Sequence, residues 1–420
     1  MARSVSRRTF IGGMAAMTAA SRTAARQAAS GRGLRVAVVG AGAFGGWTAL
    51  QLRERGCEVV LVDAWGPGNT RSSSGGETRV IRAIYGQDRV YVEMVRRSYE
   101  RWETLDAADH ALYLETGALW LHRGDDAYVR SSVPVLRDLG FSVEQLTITE
   151  AKRKYPQISF AGIKSVWLEG RAGALSARRA CAVVRDAFAS IGGTYRMAMA
   201  APEQPLKSGS LKTLRLADGS SLAADVYVFA CGPWLGRLFP DLIGNGVLPT
   251  RQEVFYFGTP QGSDRYAPPR LPIWIDFGER IVYGIPDVRG HGFKIADDTR
   301  GEPFDPTSGN RVPTTAGINA ARQVLAERFP EMANAPLIAS EVCQYENTPD
   351  GNLIIDRHPQ VSNLWFVGGG SGHGFKLSPA VGELVATAIV GGGKIPELFQ
   401  LGRLRDLDKR TTQFDRKSKS

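Results

Sequence analysis

LRVAVVGAGAFGGWTALQLRERGCEVVLVD, residues 34–63, is the stretch that decides the fold of this 420-residue chain. Residues 34–39 are a short apolar, β-branched run, which predicts a buried parallel strand. A glycine-rich turn follows, then a helical pattern, and then a second strand that ends at Asp63. This order of strand, glycine turn, helix and strand predicts a βαβ unit that binds a dinucleotide.

The glycines of this turn and the acid that follows them have separate roles. Gly40 allows the tight turn, Gly42 lets the backbone approach a pyrophosphate, and Gly45 permits close packing of the helix on the strand. The helix N-terminus offers unpaired amides to the phosphates, and Asp63 can accept a hydrogen bond from a ribose hydroxyl. NAD and FAD share this fingerprint, so later segments must distinguish them.

Two further strand-to-glycine junctions lie at residues 225–234 and 365–370. Three such junctions, dispersed over the chain, suit an extended dinucleotide that lies across several loops. Strand patterns at residues 253–257, 273–277 and 280–285 are typical of an antiparallel sheet. We therefore predict an α/β fold in which a Rossmann-like domain is interleaved with an antiparallel-sheet substrate domain that covers the cofactor.

Length, composition and charge limit the class of protein. At 420 residues the chain exceeds the size of one usual hydrophobic core, so we expect two domains. Six arginines in residues 1–32 precede the first acidic residue, Glu54, and supply six of the ten net positive charges. The rest of the surplus is ordinary, and no recognition-helix or stacking-aromatic pattern accompanies it, so we expect no nucleic-acid partner. No apolar run approaches the length of a membrane span.

The first residues resemble an export signal. Residues 6–12, SRRTFIG, place a twin arginine before an apolar pair, and a weakly hydrophobic stretch follows. This pattern is typical of a twin-arginine signal, which delivers folded proteins to the twin-arginine export machinery. We therefore expect a periplasmic or extracellular protein. The alternatives are a mitochondrial transit peptide, because the segment is rich in arginine and serine and free of acids, and a cytoplasmic location.

The segment at residues 341–379 points to a flavin. A lone cysteine, Cys343, precedes a turn and a hydrophobic strand, and GGGSGHGFKLSP then leads into a helix. This layout brings a thiol, bare backbone amides and a lysine towards one flat ligand. The four cysteines are widely spaced with no Cys-x-x-Cys pair, which excludes a zinc ribbon, and we predict no metal site.

At this point several segments resemble a known family. They occur in order at residues 40–45, 76–82, 283–294, 343–356 and 372–376. They are similar to the monomeric sarcosine oxidase and N-methyltryptophan oxidase group of the D-amino-acid-oxidase-like FAD-dependent oxidoreductases. The resemblance covers about residues 34–400 and implies an FAD-binding domain of the Rossmann type.

The resemblance implies roles for residues at the cofactor. The cysteine of the Cys-x-Tyr-x-x-Thr-Pro-Asp segment is bonded to FAD in such enzymes, so Cys343 is the expected covalent attachment residue. Thr78, Gly372 and Gly374 are expected to contact the cofactor as well. Arg79 is expected against the flavin ring. Lys294 is expected over the flavin, where a fixed cation stabilises the superoxide formed from O₂.

It also implies a substrate pocket. Arg82 and Lys376 are expected to clamp a substrate carboxylate, and Tyr283 and Tyr345 are expected to form aromatic walls. Members of the group related to sarcosine oxidase carry imidazoles where this chain has Gly75 and Asp298. A bulkier or more basic amine than sarcosine is therefore expected, because Asp298 could hold a cationic group.

The predicted domain boundaries follow the interleaved pattern. The predicted segments are an export leader at 1–32, an FAD-binding domain at 33–115, 176–245 and 340–400, a substrate domain at 116–175 and 246–339, and a polar tail at 401–420.

The predicted activity is that of a monomeric flavin-dependent amine oxidase. It would oxidise the C–N bond of an N-methyl or cyclic amino acid to an imine and reduce O₂ to H₂O₂. The alternatives are an amino-acid dehydrogenase that passes electrons to a quinone or carrier, a non-catalytic flavin-binding protein, and, less favoured, an NAD-dependent dehydrogenase.

Overall fold

The computed structural model describes residues 31–109, 112–203, 206–405 and 410–415. The expected export leader therefore lies outside the described residues, except for residues 31 and 32. Part of the expected tail lies outside them too. Within the described ranges, no helix has both the length and the apolar character needed to cross a membrane.

The regular elements alternate between strands and helices along the chain. The strands are β1 (Arg35–Val39), β2 (Glu58–Asp63), β3 (Thr78–Ile81), β4 (Tyr113–Glu115), β5 (Ala118–His122), β6 (Val143–Leu146), β7 (Ser165–Glu169), β8 (Gly173–Ser176), β9 (Thr194–Met197), β10 (Ala200–Ala201), β11 (Thr213–Leu216), β12 (Ser221–Ala223), β13 (Val226–Phe229), β14 (Leu248–Phe257), β15 (Ile273–Phe277), β16 (Ile281–Ile285), β17 (Phe293–Asp297), β18 (Leu337–Asn347), β19 (Ile354–Arg357) and β20 (Leu364–Gly368). The α-helices are α1 (Ala43–Glu54), α2 (Arg89–Asp109), α3 (Ala127–Asp138), α4 (Ile148–Lys154), α5 (Ala177–Ser190), α6 (Leu235–Leu238), α7 (Thr315–Arg328) and α8 (Ser378–Gly391).

A six-stranded sheet contains the predicted βαβ unit. Its order is β19-β20-β13-β1-β2-β9, with every pair parallel except β19 and β20. Four of the five β1 residues are buried, as expected for a central parallel strand. Helix α8 packs closely on α1, because a Cβ at Gly382 would lie 2.7 Å from the backbone carbonyl carbon of Trp47. The predicted parallel strand and its helix are confirmed.

An eight-stranded sheet forms the second layer, in the order β18-β14-β17-β16-β15-β5-β7-β6. All its pairs are antiparallel except β5 with β15, which are parallel. The predicted antiparallel strands at 253–257, 273–277 and 280–285 are confirmed within β14, β15 and β16. Strand β18 belongs wholly to this sheet, so the predicted boundary at residue 340 falls inside a strand.

The two sheets meet at the carboxyl ends of the parallel strands. Val39 ends β1 and Asp63 ends β2, and both face the same cavity as side chains of β14 to β18. Ligands of open α/β sheets bind at this edge, where backbone amides and loop side chains converge. The α/β architecture with a mixed, mainly parallel sheet and an antiparallel substrate sheet is therefore confirmed.

Candidate functional site

One cavity of about 580 Å³ joins the glycine fingerprint to the cationic residues singled out in the sequence. Its volume lies within the range of small-molecule and cofactor sites. Of the predicted residues, those that line it are Gly40, Gly42, Asp63, Arg79, Arg82, Tyr283, Lys294, Cys343, Tyr345, Gly372, Gly374 and Lys376. Gly45 and Thr78 are not among the lining residues.

At one end, the backbone of the glycine turn is exposed to the cavity. Gly40 has a φ of 104°, a left-handed conformation that favours glycine, and a Cβ there would lie 2.3 Å from the Ala230 carbonyl oxygen. A Cβ at Gly45 would lie 1.8 Å from the Gly40 carbonyl oxygen, so this glycine serves packing between the turn and the helix. Helix α1 begins after Gly42 with no side-chain cap on that residue. The Ala43 amide donates to Ser74 Oγ at 3.0 Å, and the N-terminus of a helix suits a phosphate.

Asp63 is held rigidly at the end of β2. Its Oδ2 accepts a hydrogen bond from the Ala41 amide at 2.7 Å, and its Oδ1 accepts from the Trp65 and Gly66 amides at 2.8 Å each. An ionised carboxylate has about four acceptor sites, so one remains for a ligand hydroxyl. Asp63 therefore both fixes the glycine turn and can receive a ribose.

At the other end, Arg79 lies beside Cys343. The Arg79 guanidinium donates to the carbonyl oxygens of Ser73 at 2.8 Å and Thr78 at 2.8 Å, and its Nη2 lies 3.4 Å from Cys343 Sγ. Cys343 is half-buried on β18 and belongs to no disulfide. A neighbouring arginine stabilises negative charge on sulfur, which is the nucleophilic form of a thiol. The pair places a free thiol at the cavity wall.

Lys294 lies on β17 and is 1% exposed. Its Nζ donates to the Thr78 carbonyl oxygen at 2.8 Å and stands 5.7 Å from the centre of the Tyr283 ring. Burial, and then the charge of Arg79, lower the pKa of Lys294 to about 7. Thr78 thus contributes through its backbone carbonyl, which orients Lys294, and its side chain stays outside the cavity.

Arg82 and Lys376 flank one aromatic ring. The Tyr85 ring centre lies 4.8 Å from the Arg82 guanidinium carbon and 5.2 Å from Lys376 Nζ. Arg82 donates to the Ile84 carbonyl oxygen, and Lys376 donates to the His373 carbonyl oxygen at 3.1 Å. Burial, and then the charge of Arg82, lower the pKa of Lys376 well below its usual value.

Asp298 and Glu169 act on both cations from a distance, but among the described residues neither cation has a carboxylate in ion-pair contact. Arg82 is 6% exposed and Lys376 is 4% exposed, and within the described part of the chain no carboxylate oxygen lies within 4.0 Å of their charged nitrogens. Buried charges that lack partners are costly, and they are retained where a ligand supplies the opposite charge. The arrangement can therefore receive an anion such as a carboxylate.

The two predicted aromatic walls differ in their partners. Tyr345 donates a 2.6 Å hydrogen bond to Asp298 Oδ1, whereas Tyr283 lies under Lys294. Burial raises the pKa of Asp298 to about 6.

Gly372 needs its bare backbone here, because its φ is 81° and a Cβ would lie 2.8 Å from the Tyr345 ring. Gly75 does not line the cavity; its carbonyl oxygen accepts from Arg79 at 2.5 Å.

The cavity also contains residues that the sequence did not indicate. Glu346 is buried, its Oε1 accepts from the Gly370 amide at 3.0 Å, and burial raises its pKa to about 7. Trp120 on β5 and Phe414 near the C-terminus face Arg82. Glu346 lies three residues after Cys343 in the same strand and could have been suspected from that position. No local pattern marks Trp120 or Phe414.

Among the residues that the structure describes, no group of three or more His, Cys, Asp or Glu side chains could hold a metal ion.

Comparisons with known proteins agree on one family. The family described as FAD dependent oxidoreductase matches residues 35–388. The monomeric sarcosine oxidase of Bacillus sp. is 30% identical over 85% of this chain and 92% of its own length. The N-methyl-L-tryptophan oxidase of Salmonella heidelberg is 26% identical over 87% of this chain and 98% of its own.

A solved structure has the same fold. The L-proline dehydrogenase of P. horikoshii superimposes with a TM-score of 0.77 over 90% of this chain and all of that chain, at 20% identity. At this identity the likeness concerns the fold alone.

The residues present fit FAD. The glycine turn and the α1 N-terminus suit its diphosphate, Asp63 suits its ribose, and the cationic, cysteine-bearing end suits a flat ring that gains negative charge when it is reduced. The resemblance seen in the sequence is confirmed. This chain belongs to the family of FAD-dependent oxidoreductases, as an enzyme of the sarcosine oxidase group that acts on CH–NH bonds.

Proposed function

We propose that this enzyme oxidises the C–N bond of a secondary amino acid, N-methylated or cyclic, and passes the electrons to O₂. The observation that carries the proposal is the pair Arg82 and Lys376. Both cations are buried, both line the cavity that also contains the dinucleotide fingerprint, and neither has a carboxylate partner within 4.0 Å among the described residues. An amino-acid carboxylate is the anion that fits them.

The substrate is held at two points in this proposal. Its carboxylate binds between Arg82 and Lys376, and its amine lies towards Asp298. Asp298 lines the same cavity, and the charges of Arg82 and Lys376 both act on its pKa, which shows that the three groups share one electrostatic environment. An acid next to two cations gives the pocket opposite charges for a zwitterion. Sarcosine carries only a small N-methyl amine, so a bulkier or more basic amine is the proposed substrate.

FAD, when bound, accepts the electron pair of the C–H bond and delivers it to an acceptor. The chain's own residues bind and orient the substrate and exclude bulk water, and the imine product is then hydrolysed by water. Lys294 provides a buried cation for O₂ reduction, and its hydrogen bond to the Thr78 carbonyl oxygen fixes its position. Cys343, beside Arg79, is the proposed covalent attachment residue.

The identity of the electron acceptor, O₂ or a quinone, is the simplest part of the proposal to test. Purified enzyme is mixed with a panel of N-methyl and cyclic amino acids under air, and H₂O₂ and amine consumption are measured together. One H₂O₂ for each amine supports the oxidase. Rapid bleaching of the flavin without peroxide, and turnover only with a quinone, would replace it with the dehydrogenase alternative.

A further inference from the structure

The described C-terminal segment, residues 410–415, folds back onto the substrate end of the cavity. Gln413 and Phe414 line the cavity together with Arg82, Asp298 and Lys376. Residues 401–420 were predicted to be a polar tail. The structure places Gln413 and Phe414 in the cavity wall, and the Phe414 ring centre lies 5.5 Å from the Arg82 guanidinium carbon.

Hydrogen bonds hold the segment in a defined place. The Thr411 amide donates to the Pro349 carbonyl oxygen at 2.7 Å, and Arg300 donates to the Thr411 carbonyl oxygen at 2.6 Å. Asp415 accepts from the Thr412 amide at 2.7 Å and from its hydroxyl at 2.8 Å, which closes a turn around Gln413 and Phe414. The segment therefore crosses the turn that follows β18 and is held there by Pro349 and Arg300.

Phe414 completes an aromatic enclosure around the Arg82 guanidinium. The guanidinium carbon lies 4.8 Å from the Tyr85 ring centre, 5.2 Å from that of Trp120 and 5.5 Å from that of Phe414. Stacking of arginine on aromatic rings is favourable and restricts the orientation of the guanidinium plane. The main body supplies two of these rings, and the tail supplies the third.

The Phe414 ring is itself fixed by packing. It meets the rings of Tyr128 and Phe277 edge-on at 5.1 and 5.3 Å. Its position next to Arg82 is thus set by packing against a helix residue, Tyr128, and a strand residue, Phe277.

Gln413 adds a polar group to the same wall. Its side chain is 5% exposed, and its Oε1 has no hydrogen-bond partner among the described residues. A buried amide that lacks a partner is costly unless a ligand or water supplies one. Gln413 lines the cavity, so the substrate end is where that partner can be supplied.

We propose that residues 410–415 are a specificity element of the substrate pocket. Phe414 limits the bulk that a bound carboxylate can carry on the side of Arg82, and Gln413 offers its amide to the substrate. This inference rests on the proposed function, because it takes Arg82 as part of the carboxylate site.

The test measures ligand binding without turnover. Acetate, phenylacetate and indole-3-acetate are titrated into the FAD-loaded wild type and the Phe414→Ala and Phe414→Leu variants, and the flavin absorbance change reports binding. Phe414→Ala is expected to weaken acetate binding and to strengthen indole-3-acetate binding, so that their affinity ratio changes by about tenfold or more. Phe414→Leu retains apolar bulk, so its affinity ratio should lie between those of the wild type and Phe414→Ala. This variant also keeps the test measurable if the alanine variant does not fold.

Phe160→Ala is the matched control, because Phe160 is a buried phenylalanine that neither packs on Phe414 nor lines the cavity. An unchanged affinity ratio in both Phe414 variants, with the wild type binding all three acids, would overturn this inference alone. A shift in Phe160→Ala as large as that in Phe414→Ala would also overturn it, because the effect would then be general loosening. A wild type that binds none of the acids would overturn the proposed carboxylate site itself.

Discussion

The Tyr345 hydroxyl donates a 2.6 Å hydrogen bond to Asp298 Oδ1 inside the cavity. Tyr345 lies on β18, whereas Asp298 immediately follows β17, and β14 pairs with both strands. The bond holds Asp298 in the wall of the cavity that Arg82 and Lys376 also line. Burial raises the pKa of Asp298 to about 6 although this hydrogen bond favours the ionised form.

Replacing Asp298 with asparagine should change how KM depends on pH. Asp298 is neutral below its pKa and anionic above it, so the wild type should bind a cationic amine more tightly as the pH rises through about 6. We expect the KM of the wild type to fall as the pH rises across this range and the KM of Asp298→Asn to remain constant. At neutral pH the KM of Asp298→Asn should be higher than that of the wild type by about tenfold or more.

The matched control is Asp264→Asn, whose carboxylate is 70% exposed and pairs with Arg270 at the surface. KM measured against pH for one N-methyl amino acid checks all three proteins. A pH profile of Asp298→Asn that follows the wild type would remove Asp298 from the amine site.

Lys294→Met should separate flavin reduction from flavin reoxidation. The substrate does not need this cation, so anaerobic reduction should proceed at a rate close to that of the wild type. Reoxidation by O₂ should be slower by about 100-fold, which is the usual effect of removing one preorganised charge-stabilising group. Stopped-flow absorbance measures both half-reactions, and reoxidation at the wild-type rate would exclude this role.

The pH dependence of reoxidation offers a separate check on Lys294. Because burial lowers its pKa to about 7, Lys294 is cationic below that pH and neutral above it. The reoxidation rate of the wild type should therefore fall as the pH rises through about 7, and the rate of Lys294→Met should not follow this curve. A wild-type rate that rises over the same interval would contradict the assignment.

Cys343→Ser should release the flavin on acid precipitation. Cys343 is the cysteine that lies against Arg79 in the cavity, with Sγ 3.4 Å from the guanidinium. In the wild type the yellow colour should remain in the protein pellet, and in the variant it should move to the supernatant. Cys181→Ser is the control, because Cys181 is buried and does not line the cavity. Colour in the wild-type supernatant would rule out the tether.

The parts of the fold that follow local patterns were predictable. The strand, turn and helix at residues 34–55 were predicted because apolar periodicity and glycine positions are recognisable within a short stretch of sequence. Arg79, Arg82, Lys294 and Lys376 were found through motifs and are indeed brought to one cavity.

The remaining features depend on contacts between distant segments. The parallel pairing of β5 with β15 joins strands that are far apart in sequence, and neither strand carries a mark of its partner. The same holds for Phe414, which reaches Arg82 only because Phe277 and Tyr128 fix its ring. Thr78 was predicted as a cofactor contact; its strand neighbours Arg79 and Val80 line the cavity, whereas Thr78 contributes its carbonyl oxygen to Lys294.

The carboxylate site formed by Arg82 and Lys376 is central to the proposed function. Anaerobic flavin reduction in Arg82→Ala tests this site most directly. We titrate the wild type and the variant, matched for flavin content, with an N-methyl amino acid and follow the flavin absorbance. The control is Arg215→Ala, because Arg215 is 72% exposed. Wild type and control should bleach at the same concentrations. Arg82→Ala should need about 10- to 100-fold more substrate, because a charge-assisted hydrogen bond is lost. Equal bleaching curves for Arg82→Ala and wild type would contradict the account.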